Sequence, residues 1–268
     1  MKKRGQVTLF VIIGIVIVVV VALFLVARNT IFMPITSESL ESEMDLIRDK
    51  MIECGYDENL NSPNELLKTI GKQGGYLETT EGSYRLYADS KVSYLCYDIP
   101  NKNGCSNRML TIKEMEDQLN EAAAYFMNDC LESVKDTGGF KKYNVITTGT
   151  PKYEFAIRPD QVVLNVNWPV KLSGKSKDVS VSEDKFEINF DYPLGQLYDV
   201  SQDVINGWDA FAGEAVTGYF DTLTYMLAKK GEYKIYLKKP YPDKVYDIVK
   251  EGNEYSFQFA IEGEDRFA

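Results

Sequence analysis

The sequence predicts an α+β fold in which one N-terminal transmembrane helix is followed by an extracytoplasmic head of helices plus antiparallel sheet. Three patterns predict it: an unbroken apolar run at 7–27, apolar residues at helical spacing between 37 and 135, and alternating apolar and polar residues in much of 140–268. The first pattern has the length of a bilayer crossing, and the other two are typical of helices and strands that pack around a shared core.

The apolar run begins at Val7, includes Gly14, ends at Ala27 and contains no charged residue. As a helix it is about 31 Å long, which matches the roughly 30 Å hydrocarbon core of a bilayer. Three basic residues precede it and only Arg28 follows closely, so the positive-inside rule places 1–6 in the cytoplasm as a basic tail. The alternative, a cleaved secretory signal peptide, has a shorter apolar core of about 7 to 15 residues. We therefore expect a signal-anchor in the cell membrane, with the lipid bilayer as a partner and everything beyond the run outside.

The residues at 3–10, KRGQVTLF, lead directly into the apolar run. They resemble an archaeal class III signal of the type IV pilin kind. That resemblance implies processing by a prepilin peptidase between Gly5 and Gln6, with the apolar helix left attached to the mature protein. Many pilins have Glu five residues beyond the cut, whereas this chain has Phe10.

The wider layout places Ile52-Glu53-Cys54 and a glycine-rich segment at 71–76 behind this start. In that layout the chain resembles single-span surface proteins of small-genome archaea. The likeness implies a lineage and a location, and it implies no activity.

Charge and composition fit an exterior head and exclude several kinds of chemistry. The chain has 30 basic and 40 acidic residues; four basic and no acidic ones lie in 1–28, which leaves 26 against 40 in the remainder, a formal charge of −14. Such a body repels phosphate backbones, and we expect no nucleic-acid partner. Histidine is absent, which excludes Ser-His-Asp and Cys-His catalysis and zinc ligation by histidine.

The four cysteines are Cys54, Cys96, Cys105 and Cys130. In an oxidising exterior an even number predicts two disulfides, for which three connectivities exist. Cys96 and Cys105 flank a turn-rich insert and lie close together if their flanks form a hairpin, which favours that pair. The other pair then joins the C-terminal ends of two predicted helices. A four-thiolate metal site is the alternative, but no Cys-x-x-Cys spacing supports it.

We expect a juxtamembrane linker at 28–36, where Pro34 disfavours a continuous helix, and then a helix-rich, disulfide-tied subdomain at 37–139. A first helix begins at Ser37 or Ser39 and stops at Gly55. Its apolar residues recur at spacings of four and three: Leu40, Met44, Ile47, Met51 and Cys54.

Ser62 and Pro63 start a short helix that closes at Gly71. The Gly-Gly at 74–75 lacks the lysine and hydroxyl residue of a phosphate loop and predicts a tight turn. Aromatic-rich alternation at 84–98 then predicts a small hairpin.

Thr111 and Glu114 form a capping box, which opens a helix to about Lys135. Its apolar face is predicted to consist of Met115, Leu119, Ala122, Phe126 and Cys130. We expect this face to meet the helix that starts near Ser37, because a Cys54–Cys130 disulfide requires it.

The second subdomain, 140–268, combines sheet with helices. Its alternating runs predict a meander of three or four antiparallel strands and a later group of three. In order these runs cover 153–157, 161–172, 178–192, 232–237, 244–249 and 255–261, with a helical region at 194–230 between the two groups.

Two features of this half have a functional as well as a structural interpretation. Trp168-Pro169 is either an edge or bulge, which is favoured, or an exposed aromatic platform for a sugar. Asp199 and Asp203 share a helix face; a solvated acidic face is favoured over a cation site because a hard cation needs about six oxygens. The 18 tyrosines of the chain are typical of strands and of binding surfaces alike.

Three classes of function remain. The favoured one is a single-pass protein with a non-enzymatic head for adhesion, for envelope structure or for binding a protein or cell-envelope partner. The second is a type IV pilin-like subunit processed before Gln6 and assembled through its apolar helix. The third is an extracytoplasmic hydrolase that uses paired carboxylates. The sequence assigns no catalytic residue, no cofactor and no metal ligand.

Overall fold

The computed structural model describes most of the head and the middle of the apolar run. The described residues are 13–23, 37–98, 105–135, 143–174, 179–211, 229, 231–239 and 243–262, with backbone alone at 98, 105, 134–135, 207–211 and 239. The predictions for the tail at 1–6, for the linker at 28–36 and for most of the helical region beyond Phe211 lie outside this part of the chain.

The helices are α1 (13–23), α2 (Ser37–Gly55), α3 (Pro63–Lys72), α4 (Ile112–Lys135) and α5 (Leu194–Phe211). The strands are β1 (Tyr84–Tyr87), β2 (Ser90–Asp98), β3 (Cys105–Asn107), β4 (Tyr143–Thr147), β5 (Lys152–Ile157), β6 (Val162–Gly174), β7 (Ser180–Phe190), β8 (Tyr233–Lys239), β9 (Lys244–Lys250) and β10 (Ser256–Ile261). They form two sheets in which most neighbours are antiparallel. The head therefore has the predicted α+β fold.

Helix α1 is the described part of the apolar run at 7–27. All of its residues are exposed, and its large apolar side chains range from 46% exposed at Ile13 to 67% at Val18. Nothing lies within 4 Å of where a Cβ of Gly14 would stand. Across the described ranges, no helix is both long enough and apolar enough to cross a membrane. The two ends of the run lie outside those ranges.

Helix α2 buries each of the predicted apolar residues from Leu40 to Cys54. Cys54 forms a disulfide with Cys130 of α4, with their Cα atoms 6.0 Å apart and a sequence separation of 76. This is the long-range pair that remains when Cys96 and Cys105 are assigned to each other. Cys96 of β2 is also disulfide-bonded; the side chain of Cys105, its predicted partner, lies outside the described side chains.

Helix α3 begins as the sequence predicts. The Ser62 side chain accepts a hydrogen bond from the Glu65 amide as the N-cap, and Pro63 occupies the first helical position. The helix ends at Lys72, one residue beyond the predicted Gly71. It packs against β2 and β10.

Helix α4 opens with the predicted capping box: the Thr111 hydroxyl accepts from the Glu114 amide at 3.2 Å, and the Glu114 carboxylate accepts from the Thr111 amide at 2.7 Å. The predicted apolar face is wrong in part. The fully buried residues keep a spacing of four throughout: Met115, Leu119, Ala123, Met127 and Leu131. Three predicted members, Ala122, Phe126 and Cys130, are half-buried beside them. The row of buried residues differs from the predicted apolar face because α4 packs against β5 as well as against α2 and α3.

The larger sheet has six strands in the order β1-β2-β10-β9-β8, with β3 paired to β2. Strands β1 and β3 pair with successive parts of β2, and β10 pairs with β2 in parallel. The other pairs of this sheet are antiparallel. The parallel pair joins strands from opposite ends of the head, and no local pattern in the sequence predicts it.

The smaller sheet has β6 at its centre, β7 along one edge, and β5 and β4 along the other. The register between β6 and β7 shifts between Asn167 and Val170, so Trp168-Pro169 forms the favoured bulge. Trp168 is 2% exposed. The alternative interpretation of Trp168 as an exposed sugar platform is therefore wrong.

The helices connect the two sheets. Helices α2 and α4 pack on the smaller sheet, α3 and α5 pack on the larger one, and α2, α3 and α4 contact one another. One continuous core runs through these layers. The larger sheet takes strands from both predicted subdomains, 37–139 and 140–268, while the residues at 136–142 lie outside the described part of the chain.

The contact between α3 and β10 is tight at Gly71. A Cβ there would lie 2.6 Å from the Ser256 carbonyl oxygen and 2.8 Å from the Tyr255 hydroxyl. Helix propensity alone predicts that Gly71→Ala stabilises the protein by about 1 kcal/mol. Because backbone cannot move aside as a flexible side chain does, we expect the overlap to dominate and the free energy of unfolding in urea to fall by about 1–3 kcal/mol.

The matched control is Lys72→Ala, at the exposed neighbouring position. It should change the free energy of unfolding by less than about 0.5 kcal/mol. A Gly71→Ala protein as stable as the wild type would contradict the close approach of helix and strand.

The Cys54–Cys130 disulfide closes a loop of 76 positions. In the chain-entropy account, Cys54→Ala with Cys130→Ala should lower the free energy of unfolding by about 4 kcal/mol. The comparison variant is Cys96→Ala with Cys105→Ala, whose short predicted loop should contribute about 3 kcal/mol. Urea unfolding of both variants measures the difference, and a larger loss from the second pair would contradict the entropic ranking.

Candidate functional site

A cleft walled by tyrosines lies where the segment after α3 passes strand β2. We call this cavity of about 180 Å³ the tyrosine cleft. Its lining comes from the segment at 76–83, from β2, and from the residue that follows β3. The lining residues are Tyr76, Glu78, Thr80, Ser83, Ser93, Tyr94, Tyr97 and Arg108.

The turn after α3 positions the first wall of the cleft. Gly74 and Gly75 have φ angles of 67° and 93°, in the left-handed region that favours glycine. Gln118 of α4 donates from Nε2 to the Gly75 carbonyl at 3.3 Å and accepts from the Leu77 amide at 3.2 Å. The predicted tight turn is thus bonded to α4, which fixes the start of the segment that carries Tyr76.

The three phenol hydroxyls of the cleft are already hydrogen-bonded within the protein. Tyr76 donates to the Arg108 carbonyl. Tyr94 donates to Asp243 Oδ2 at 2.9 Å, and Tyr97 donates to a backbone carbonyl at 2.8 Å. The rings of Tyr94 and Tyr97 meet edge to face with centroids 5.4 Å apart. These hydrogen bonds therefore fix the positions of the three tyrosines in the wall of the cleft.

The charged groups of the cleft nearly balance. The Arg108 guanidinium lies 4.7 Å from the centroid of the Tyr97 ring, as a cation–π pair. The Arg108 amide donates to the Leu95 carbonyl at 2.8 Å, which ties the residue to β2. Glu78 supplies a carboxylate to the same lining. The cleft is thus close to neutral, although the chain beyond residue 28 carries a formal charge of −14.

Ser93 lines the cleft from β2, and the residue is 3% exposed. Its Oγ has no hydrogen-bond partner among the described residues. A buried hydroxyl without a partner costs about 1–3 kcal/mol, so most native structures avoid one. The other described side-chain atoms of this kind belong to Glu43, Gln196 and Asp247, which do not line the cleft. The wall of the cleft therefore contains a buried hydroxyl that has no described partner.

The phenols of the cleft stay protonated well above neutral pH. Burial raises the pKa of the Tyr76 and Tyr97 hydroxyls, although the Arg108 charge opposes the shift at both. Burial, together with the hydrogen bond to the Asp243 carboxylate, raises the pKa of Tyr94 to about 12. The aromatic walls thus keep one protonation state over the physiological range.

Two further cavities continue from the tyrosine cleft around the end of α3. The first, of about 560 Å³, shares Glu78 with the cleft, and we call it the polar groove. Its lining residues are Thr69, Lys72, Gln73, Leu77, Glu78, Thr79, Asp89, Ser90 and Lys91. The second, of about 240 Å³, shares Lys72 with the polar groove and reaches Tyr192 and Tyr255. The polar groove therefore has one lining residue in common with each of the other two cavities.

Backbone strain lies at the rim of the polar groove. Ala88 and Asp89, between β1 and β2, have φ angles of 45° and 64°. These two positions form the two-residue hairpin turn, for which Asn-Gly is the favoured sequence. A residue with a Cβ costs roughly 1–2 kcal/mol in this conformation. Such strain is common next to binding sites, and Asp89 lines the groove.

Most of the residues that the sequence singles out as candidate site residues lie away from the tyrosine cleft. Cys96 is the exception, because its neighbours on β2 line the cleft. Cys96 is on β2 between the cleft residues Tyr94 and Tyr97. Asp199 and Asp203 are exposed on α5. The processing pair at 5–6 and the two ends of the anchor lie outside the described ranges. Where side chains are described, no group of three or more cysteine, aspartate or glutamate residues is placed to hold a metal.

Sequence reasoning missed the tyrosine cleft as a site. The aromatic-rich hairpin at 84–98 and the tyrosine count were the signals that point to it. Those signals do not show that the ring of Tyr76, from another segment, completes the walls, or that Ser93 lacks a partner.

Comparison with known proteins gives no assignment: no protein family matches the sequence, and no curated protein or solved structure matches it significantly.

The raised tyrosine pKa values predict how stability depends on pH. The folded protein favours the neutral phenol, so this contribution is complete below the usual Tyr94 pKa of 10 and is lost as pH rises through about 12. Because histidine is absent, we expect the free energy of unfolding to change little between pH 7 and 9 and to fall between pH 10 and 12. Urea unfolding at each pH measures this. Tyr94→Phe should show a smaller alkaline loss, and an identical loss in the variant would contradict the role of Tyr94.

Proposed function

We propose that this chain is a single-pass membrane protein whose extracytoplasmic head binds a ligand or an envelope partner without catalysing a reaction. The apolar run at 7–27 is its anchor, and the basic tail at 1–6 lies in the cytoplasm. The head from 37 to 268 is held outside the cell by the linker at 28–36.

The observation that carries the proposal is the exposure of α1. Each described residue of this helix is exposed, and its large apolar side chains include seven consecutive positions from Ile15 to Val21. Exposed apolar surface costs about 25 cal/mol per Å² in water, and hydrocarbon removes that penalty. Because α1 is the middle of a run of bilayer length, a membrane is the environment that best accounts for it.

The cysteines and the charge support an exterior head. The Cys54–Cys130 disulfide bridges two helices of the head, and disulfides persist in oxidising compartments. An acidic body also stays soluble beside the membrane surface. Both features agree with the orientation that the basic N-terminal residues predict.

The tyrosine cleft supports binding over catalysis. Its aromatic faces are held in place by hydrogen bonds, which reduces the entropy lost when a ligand binds. The chain supplies no histidine for proton transfer. The site therefore suits recognition.

A second candidate is a type IV pilin-like subunit, which the KRGQVTLF start at 3–10 favours. In that case α1 packs against copies of itself after cleavage before Gln6, and the exposed face of α1 is a subunit interface. The N-terminal sequence of the mature protein separates the two candidates. A start at Gln6 would favour the subunit, and an unprocessed start would favour the simple anchor.

Membrane extraction tests the anchor. The full chain should remain in the membrane pellet after alkaline carbonate washing. Val18→Lys with Val20→Lys should release it, because each lysine at the centre of a spanning helix costs about 2.5–3.5 kcal/mol. The matched control is Leu46→Lys on α2, a position that is also half exposed at 50%, and this variant should stay in the pellet.

Protease treatment of intact cells then tests the orientation. The head should be degraded while the cells remain closed, and a cytoplasmic control protein should survive. Wild-type protein in the soluble fraction would contradict the anchor, and a protected head would contradict the exterior location.

A further inference from the structure

We infer that the hairpin of β8 and β9 docks the head on the anionic lipid headgroups of the same bilayer that holds the anchor. The inference rests on the proposed single-pass anchor, and it names the surface of the head that faces the membrane. Three features carry it: the charge of the hairpin, the exposed side chains of β8, and the short tether between anchor and head.

The hairpin is basic, whereas the rest of the head is acidic. Residues 229–251, which contain β8 and β9, have seven lysines and four acidic residues, a formal charge of +3. The other residues beyond 28 include 19 basic and 36 acidic ones, a formal charge of −17. An anionic surface therefore attracts the hairpin and repels the remainder, which turns the hairpin toward the membrane.

The outer face of β8 presents side chains that suit the headgroup region. Lys234, Tyr236 and Lys238 alternate with buried residues of the strand, so they lie on the face opposite the core. Tyr236 is 43% exposed, and so is the neighbouring Leu237. The Lys238 ammonium lies 4.5 Å from the centroid of the Tyr236 ring. Tyrosine beside lysine is typical of a membrane interface, where the ring lies at headgroup level and the ammonium meets lipid phosphate.

Both lysines have a carboxylate neighbour and still expose their charge. Lys234 Nζ lies 2.6 Å from a Glu251 oxygen, and Lys238 Nζ lies 3.3 Å from an Asp247 oxygen. The lysine side chains are 48% and 35% exposed, whereas that of Asp247 is 11% exposed. An ammonium has three N–H donors, so one carboxylate leaves donors for a phosphate oxygen. The formal charge of +3 already includes both carboxylates.

The tether keeps the head close to the bilayer. Nine residues lie between Ala27, the predicted end of the anchor, and Ser37, where α2 begins, and they span at most roughly 30 Å. A folded head of this size has a radius of gyration of about 17 Å. The surface of the head therefore stays within reach of the headgroups. Tethering of this kind raises the effective concentration of a contact, so a weak contact suffices.

The smaller sheet supplies a comparison surface. Ile146 of β4 is 47% exposed and lies opposite the exposed Lys171 of β6. Isoleucine lacks the polar tip with which tyrosine partitions to an interface. This surface therefore places a lysine beside an exposed apolar side chain without the tyrosine, and it serves as the matched control.

The test places a fluorescent label at position 237 of the full chain. The cysteines whose side chains are described are all disulfide-bonded, so Leu237→Cys supplies the thiol. The chain is reconstituted in vesicles of phosphatidylcholine and phosphatidylglycerol in equal parts, or of phosphatidylcholine alone, and a membrane-impermeant dye labels the outward-facing heads. A trace lipid with a nitroxide on its headgroup then quenches labels that contact the surface.

We expect quenching at position 237 in the anionic vesicles. In phosphatidylcholine alone the ratio of docked to undocked heads should be at least about fivefold lower, since a single lysine at an anionic surface contributes that factor. The control label, carried by Ile146→Cys, should be quenched little in either vesicle. Equal quenching at the two positions, or an unquenched label at 237, would overturn the inference. A hairpin that binds an acidic protein instead of lipid gives the second of these results.

Two measurements test the lysines. Lys234→Gln with Lys238→Gln should lower the ratio of docked to undocked heads by about 25-fold in the anionic vesicles. Lys152→Gln with Lys171→Gln, at exposed positions of the smaller sheet, should leave the ratio unchanged. Salt at about 1 M shortens the Debye length to about 3 Å and should undock the labelled head with all its lysines present. This second measurement does not depend on how the lysine variants fold, and quenching that salt does not change would contradict the electrostatic contact.

Carbonate extraction of the same labelled chain separates this inference from the proposed anchor. A chain that stays in the membrane pellet with an unquenched label would overturn the docking surface alone. A chain released by carbonate would overturn the anchor, and the docking surface with it.

Discussion

The parallel pairing of β2 with β10 is the constraint on which the larger sheet depends. Tyr94 lies opposite Ala260, and the Glu262 amide donates to the Cys96 carbonyl at 2.9 Å. This pairing joins a hairpin from the first half of the head to a meander from its end. Parallel strands cannot be linked by a tight turn, so this pair brings together segments that are far apart in the sequence.

The strands beside this parallel pair also hold the tyrosine cleft in place. Asp243, just before β9, accepts from the Tyr94 hydroxyl at 2.9 Å and forms an ion pair with Arg85 of β1 at 3.0 Å. One carboxylate therefore connects three strands and orients a wall of the cleft. On the opposite side of the sheet, the Tyr255 hydroxyl donates to the Leu67 carbonyl at 2.8 Å, and its ring stacks on Tyr192 at 4.4 Å. These contacts dock α3, and the segment that follows α3, at 76–83, supplies the other wall.

Two features of the cleft region lower the stability of the folded protein. The Ser93 hydroxyl is buried without a described partner, and the hairpin turn at Ala88 and Asp89 has positive φ angles. Neither feature improves packing. Natural proteins commonly retain such local costs where a surface must remain able to bind, because a site optimised for stability alone would have its polar groups satisfied internally.

The sequence by itself determined the features that depend on neighbours in the chain. The apolar period defined α2, and Ser62-Pro63 and the Thr111–Glu114 box defined the starts of α3 and α4. Eight of the ten described strands were predicted because alternation is local, whereas β3 and β4 were not. The pairing of Cys54 with Cys130 followed from assigning the other two cysteines to a local pair.

Only the tertiary structure decided which faces are buried and which residues meet. It shifted the buried row of α4 to Ala123, Met127 and Leu131, because β5 covers a side that no local pattern identifies. It buried Trp168 in a bulge and brought Tyr76 to Tyr94 and Tyr97. The physical reason is that burial and hydrogen-bond satisfaction depend on contacts between segments that are distant in sequence. Periodicity and capping record only what each segment does with its own neighbours.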